Sequence, residues 1–323
     1  MAMMRTAIAL ILLCMLGTPL AAQVKFPTRP VVMVVPFPPG GGTDTGSRFL
    51  AQKLSERWKQ TVIVENRPGA AGNIGLEYAS KAKPDGYTIM MGNIGTQSIN
   101  PSLYKNLAYN PDTAFQPIAL VAELPLVAVV TPSLNVKTVG ELIALAKAQP
   151  GDLTYGTSGS GSAMHLAAAL FEDGAGVTLT HVPYKGGGPA IQDVIGGHIK
   201  MSFATILETS GHLKSNRLRA VAVTSAKRSP AMPDLPTVAE TGLPGFDSIS
   251  WIGLLAPAGT PKDIVDQIAA DTKWAIEETD LGEKLIKQGA TPLFLGPAAF
   301  ADLIAKDRTR YGKVIVEKNI VAE

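Results

Sequence analysis

The chain has little of what most catalytic and metal sites require. It holds one cysteine in 323 residues, Cys14, so once its amino-terminal segment is removed no disulfide, thiolate nucleophile or cysteine metal site remains. Its four histidines, His165, His181, His198 and His212, are scattered, and no two stand at the i, i+4 spacing that puts a ligand pair on one helix face. Neither a metal nor a cofactor is called for. Charge of one sign is also lacking: the formal net charge is +2 and no dense basic run occurs, which leaves no electrostatic footprint for nucleic acid and none for a membrane surface.

A long hydrophobic span is missing as well. The apolar run Ala7–Leu16 is about half of the ~20 residues a spanning helix needs. It follows Arg5 and precedes Gly17-Thr18-Pro19-Leu20-Ala21-Ala22, the order of a secretory signal peptide with cleavage expected after Ala22 and export to the periplasm. Leu13 stands before Cys14 where a lipidated cysteine would want a small residue. Removing residues 1–22 takes Arg5 alone among the charged residues and leaves 28 basic and 27 acidic. The roughly 300 residues that remain exceed the usual size of one core, so two domains are expected.

What the sequence does have is glycine placed after strand-like runs. Val31-Val32-Met33-Val34-Val35 suits a strand covered on both faces. It empties through Pro36-Phe37-Pro38-Pro39 into Gly40-Gly41-Gly42, then into Thr43 and Asp44, residue types that cap helices. Such a loop aims free N–H groups and the positive end of a helix dipole outward, an anion-sized cradle. The device recurs where Leu153-Thr154-Tyr155 leads through Gly156-Thr157-Ser158-Gly159-Ser160-Gly161-Ser162 into the helical run Ala163–Phe171. Two such cradles suggest two lobes facing one ligand. A third cluster, Gly186-Gly187-Gly188-Pro189, opens a further helix, with Pro189 fit for its first turn.

Other chemistry is poorly served. No glycine cluster is followed by the lysine and hydroxyl of a P-loop, and Gly159-x-Gly161 meets Met164 where a dinucleotide fingerprint needs a third glycine. Gly156-Thr157-Ser158-Gly159-Ser160 is a near miss of the nucleophile elbow, because Ser160 replaces its second glycine. A serine hydrolase using Ser158 or Ser160, with Asp193 and His198 downstream, is the distant enzymatic alternative. His165, one helical turn past the serine loop, is equally suited to supporting that loop and to touching a ligand. Phe37 and Tyr184 flank glycine clusters where an aromatic face would wall a ligand, whereas Trp58, Trp251 and Trp274 read as core or hinge packing.

Strand-like and helix-like stretches alternate along the chain: Val31–Val35, Arg48–Trp58, Thr61–Val64, Gly75–Lys81 and Thr88–Met91. That order predicts an α/β fold with a mainly parallel sheet. Phe115–Val130 is an extended run broken at Pro125, and Ile249–Pro257 is a second one. They are expected to cross between lobes. Lobe 1 would then comprise residues 23–125 and 249–323, closed by helices over Asp263–Glu278 and Ala298–Ile315, and lobe 2 residues 126–248.

Pro36-Phe37-Pro38-Pro39-Gly40-Gly41-Gly42-Thr43-Asp44, Val64-Glu65-Asn66-Arg67-Pro68-Gly69-Ala70 and Pro84-Asp85-Gly86-Tyr87-Thr88 closely resemble blocks of the Bug family, the substrate-binding proteins of tripartite tricarboxylate transporters. His181-Val182-Pro183-Tyr184-Lys185-Gly186-Gly187, Leu235-Pro236-Thr237-Val238-Ala239-Glu240-Thr241-Gly242 and Trp251-Ile252-Gly253-Leu254 continue the resemblance in order, so that it covers the whole mature chain. The resemblance implies a non-enzymatic, two-lobed periplasmic-binding-protein fold of type II, with two Rossmann-like α/β lobes joined by a hinge. These lobes would close on a small carboxylate held by backbone N–H groups, hydroxyls and bridging waters. It implies that Phe37, Gly41, Gly42, Thr43 and Asp44 supply one side of the site and Thr157, Ser158, Gly159, Ser160, Gly161 and Ser162 the other, with Tyr184, Lys185, Gly186 and the region Ala204–Glu208, Ala204 and Thr205 foremost, near the cleft. The partners expected are the carboxylate and membrane permease subunits of the transporter, with the chain a monomer. Asp44 would repel an anion, so it is expected to cap its helix or to meet an ammonium group. A sensor presenting the bound acid to a membrane signalling partner is the alternative that the same fold would serve.

Overall fold

The structure, a computed structural model, describes residues 26–317 and 320–322. The leader expected over residues 1–22 lies outside them. The valine-rich β1 (Val31–Val35) is buried at four of its five positions. It lies parallel to β2 (Val62–Asn66) on one side and β3 (Thr88–Asn93) on the other. Helix α1 (Gly42–Trp58) follows β1 and starts before the expected Thr43 and Asp44 caps, with the side-chain-free Gly41 as its N-cap. Helix α2 (Asn73–Ser80) leads into β3.

The run at Phe115–Val130 forms a single 16-residue strand, β4. Pro125 does not break it, because it sits where the strand changes partners and its missing N–H costs no ladder bond. Up to Pro125, β4 pairs antiparallel with the strand Ile249–Pro257, ending at Pro125↔Ile249. From Leu126 on it pairs antiparallel with Met201–Thr205, starting at Leu126↔Thr205.

Between these crossings lie α3 (Val139–Ala148), β5 (Thr154–Thr157), α4 (Ala163–Ala175), β6 (Thr180–Pro183), α5 (Gly187–Gly196), β7 (Met201–Thr205), α6 (Ile206–Lys214) and β8 (Arg219–Val223). The chain returns through β9 (Ile249–Pro257) and ends with α7 (Lys262–Glu278), α8 (Leu281–Lys287), β10 (Thr291–Leu295) and α9 (Pro297–Glu317). The strand order is β2-β1-β3-β9-β4-β7-β5-β6, with β10 and β8 also on β4. The sheet is therefore mixed and not mainly parallel: the β1–β3 and β5–β7 ladders are parallel, but every ladder of β4 is antiparallel. A chain that crosses between two sheets and returns must run its two crossing strands in opposite directions.

The core divides accordingly. One apolar cluster, from Leu126 to Phe246, includes Val129, Tyr155, Phe171 and Phe203. Two others fill the opposite lobe around Leu50, Leu54 and Ile252, and around Trp251 and Phe300. Leu207 of α6 and Leu166 of α4 reach out of their own lobe into those two clusters. The amino-terminal turns of both helices thus press against the facing lobe.

Candidate ligand-binding cleft

Between the lobes lies a cleft with about 460 Å³ of space, counting its open mouth. Its floor is the crossing pair, Leu124 and Leu126 of β4 beside Ser250 of β9. Four helices end their amino termini on its wall: α1 through Gly41, Gly42 and Thr43, α4 through Ala163 and Met164, α5 through Gly187, and α6 through Thr205 and Glu208. The first-turn N–H groups of each have no acceptor within their own helix, and each terminus carries roughly half a positive charge. Phe37, Asn93 and Ser158 complete the lining, which among the described residues contains no lysine and no arginine.

Close packing at the cleft explains two of the glycines. A Cβ on Gly42 would stand 2.7 Å from the Thr205 Oγ1 of the opposite lobe, and a Cβ on Gly187 would overlap the Glu208 carboxyl. Any side chain at either place forces its surroundings apart.

Of the residues singled out in the sequence, Phe37, Gly41, Gly42, Thr43, Ser158 and Thr205 face the cleft. Most of the others serve the loops that carry these six. Asp44 is buried at 2 % exposure. Its Oδ2 accepts hydrogen bonds from the Gly40 N–H and Arg48 Nε, both at 3.0 Å, and its Oδ1 accepts one from Asn66 Nδ2 at 2.8 Å. Asn66 Nδ2 also donates to the Phe37 carbonyl at 2.9 Å. The carboxylate thus pins the loop from behind, and its charge is spent on Arg48.

In the other lobe, Thr157 is buried and bonds His181 Nε2 at 2.7 Å. The Ser162 hydroxyl caps α4 by accepting the His165 N–H. His165 Nδ1 accepts the Gly161 N–H at 3.0 Å, and its ring stacks on His181 with centroids 4.1 Å apart. Burial, reinforced by the neighbouring His181, lowers the His165 pKa to about 4, so the ring is neutral and able to accept. Of the two roles open to His165, this geometry gives it loop support. Gly159, Ser160 and Gly161 are buried within the loop, the Ser160 carbonyl taking a bond from Tyr104. Tyr184 donates to Asp193 at 2.5 Å, Lys185 is exposed, Gly186 is the N-cap of α5, and Ala204 is buried in the lobe core.

The hydrolase alternative finds its acid and base elsewhere: Asp193 pairs with His198 at 3.3 Å and with Tyr184. The Ser160 hydroxyl is buried without a partner. Among the described residues no cluster of histidine and acidic side chains is arranged to hold a metal, and no helix is long and apolar enough to cross a membrane.

Several wall residues were not singled out by sequence reasoning. Asn93, whose Nδ2 donates to Thr43 Oγ1 at 3.2 Å, ends the parallel strand next to β1. A polar residue at the carboxyl end of such a strand is a readable signal. Ser250, Leu124 and Leu126 belong to the crossing strands, and nothing local marks them. Glu208, by contrast, ends the region Ala204–Glu208 expected near the cleft; it sits in the first turn of α6, with its N–H bonded to Thr205 Oγ1 at 3.1 Å. Burial pushes its carboxyl up to about 8, against a smaller lowering effect of the bond at Thr205.

A family model described as Tripartite tricarboxylate transporter family receptor matches residues 47–320. The chain is 35% identical to the protein BugT of Bordetella pertussis over 303 residues, which cover 94% of this chain and 93% of BugT. Among solved structures it is similar to R. palustris Rpa4515 with adipate, with a TM-score of 0.90 and 36% identity over 92% of this chain and 99% of the other. It is similar also to MatC from Rhodopseudomonas palustris with bound malate, with a TM-score of 0.84 and 31% identity over 90% and 100%.

Proposed function

The chain belongs to the family of tripartite tricarboxylate transporter receptors, and from that premise we propose that it is an extracytoplasmic solute-binding protein that captures a small carboxylate between its lobes. The observation that carries this reading is the convergence of four helix amino termini on a cleft lined by no lysine or arginine among the described residues. Unpaired N–H groups backed by helix dipoles hold an anion without a dedicated cation, and waters complete its shell at modest entropic cost. Adipate in one structural relative and malate in another support an organic acid as the ligand class.

The lobes of this reading divide at Leu126 and Ile249, where β4 exchanges one set of partners for another. Rotation there opens and closes the cleft, a hinge motion about two short segments. Phe37, Gly42, Thr43, Asn93, Ser158 and Thr205 supply the polar and aromatic contacts. Delivery to membrane permease subunits from the periplasm follows from the family and from the leader expected in the sequence.

A thermal-shift screen of ligand-stripped mature protein tests the reading. Aliphatic di- and tricarboxylates, aromatic acids and amino acids form one arm, and sugars, amines and nucleotides the other. A ligand at a hundredfold excess over its dissociation constant adds about 2.7 kcal/mol. Stabilisation by acids is the expected result. Stabilisation by a control class alone, with every acid silent, would overturn it.

A further inference from the structure

Among the described residues, Glu208 is the one ionisable side chain on the wall of a cleft that is otherwise backbone, hydroxyl, carboxamide and apolar surface. Its carboxyl lies between the two glycine loops: a Cβ on Gly41 would stand 3.8 Å from Oε1, and one on Gly187 would overlap both oxygens. Oε1 is sealed from solvent and has no hydrogen-bond partner. The same side chain also faces a second cavity on the outer side of that clamp, between Gly40 and Gly188. It therefore forms the partition between the cleft and the outside.

The elements packed around Glu208 offer nothing to neutralise it. The loop before α1 contributes Pro39, Gly40 and Gly41, and α5 contributes Gly187, Gly188 and Gln192. On α1 the nearest charges, Asp44 and Arg48, are paired with each other, and Lys185 ahead of α5 is exposed. His212, one turn further along α6, lines the outer cavity, and burial lowers its pKa, so it is neutral above pH 7. A bound organic anion would thus share a cavity with a second carboxyl and no cation. Two carboxylates in one such site cannot both be ionised, and one holds a proton.

We infer that Glu208 binds the ligand as a carboxylic acid, donating a hydrogen bond to the ligand's carboxylate, so that capture of an anion at alkaline pH draws one proton from solvent. Burial, which already raises its pKa in the ligand-free protein, prepares this state. A ligand whose ammonium group faced Glu208 would instead take its carboxylate form and need no proton, so proton uptake distinguishes the two modes. The inference rests on the carboxylate-binding reading and adds to it a donor and a proton count.

Titration calorimetry of the full mature chain tests it, between pH 6 and pH 9.5 and in paired buffers of different ionisation enthalpy, with adipate, malate and L-aspartate as probes. The expected result is uptake that rises from near zero at pH 6 to about one proton per adipate or malate at pH 9. Affinity should fall by up to tenfold per pH unit above the Glu208 pKa. Glu208→Gln keeps a donor of the same shape but no titratable proton, so its binding should show a flat pH profile and no proton uptake. Adipate or malate binding with no proton uptake across the range would overturn the inference and leave the carboxylate reading standing, as would an unchanged pH slope in E208Q. Tighter binding of aspartate than of both other acids, without uptake, would overturn the donor role and make Glu208 the partner of an ammonium group. Silence of all three probes and of every acid in the wider screen would overturn the reading beneath it. The wild-type proton count decides the matter even if the variant fails to fold.

Discussion

The two glycine cradles are built on the same plan and fastened by opposite means. In the first, β1 empties into Gly40–Gly42, and the loop is held from behind by charge: Asp44 gathers the Gly40 N–H, Arg48 and Asn66. In the second, β5 empties into Thr157–Ser162, and stacked rings hold the loop: the His165 ring accepts Gly161, stacks on His181, and His181 bonds Thr157. A glycine loop able to approach a ligand has no side chains of its own to fix its shape, so neighbouring polar residues must do so. The polar residues beside a cradle are therefore divided between holding the loop and touching the ligand, and burial tells the two apart.

The contrast breaks most visibly with acid. His165 titrates at about 4 in the folded protein against an ordinary value of 6.5. The unfolded chain therefore binds its proton first as pH falls. Stability contributed by neutral His165 is complete above pH 6.5 and is lost between there and pH 4, to the extent of about 3 kcal/mol. Urea unfolding across that range should show a steeper loss for wild type than for His165→Phe, which cannot take up the proton. Equal slopes would remove the histidine from the second cradle's support.

Next in size, Asp44→Ala should cost about 2 kcal/mol, since it leaves the Gly40 N–H without its acceptor and Asn66 with only the Phe37 carbonyl, while the half-exposed Arg48 regains water. Calorimetry should register a lower melting temperature, together with weaker binding of whichever acid the screen finds. A change confined to binding would make Asp44 a ligand contact and erase the distinction drawn above.

Gly42→Ala probes the approach of the lobes. Its Cβ would stand 2.7 Å from Thr205 Oγ1, and overpacking of this kind costs about 1–2 kcal/mol. That cost falls on the closed arrangement, so affinity should drop roughly tenfold while melting of the ligand-free protein changes less. The smallest effect separates the two helix starts. Ser162→Ala removes a side-chain cap from α4 and should cost about 1 kcal/mol. Thr43→Ala removes no cap, because Gly41 holds that position in α1, and should leave denaturant midpoints nearly unchanged while weakening ligand binding.

Local signals located the cradles well and the rest of the wall poorly. β1 and β9 fall at the expected residues, and α7 begins one residue early, because apolar runs and helical periodicity are encoded within each segment. Thr43 and Asp44 carry the right composition for a cap, yet the helix begins at Gly42 and the two side chains part ways. Thr43 turns to Asn93 and the cleft, and Asp44 to Arg48 and Asn66. Which way each points depends on strands β2 and β3, some 20 and 50 residues away, and no local pattern contains that. Ser250 and Leu124 read as ordinary members of crossing strands. Only their pairing, Leu124↔Ser250, places them on the floor of a cleft.

By itself the sequence determined an α/β chain with two glycine-rich helix starts and two crossing runs. Those properties follow from residue type and spacing along a few turns of chain. The tertiary structure decided that four helix termini share one cavity, that Gly42 is crowded by the facing lobe and Gly187 by the Glu208 carboxyl, and that Glu208 Oε1 is left there without a hydrogen-bond partner among the described residues. These depend on contacts between residues far apart in the chain, since the free energy of a buried carboxyl or a crowded Cβ is set by whatever the fold brings against it.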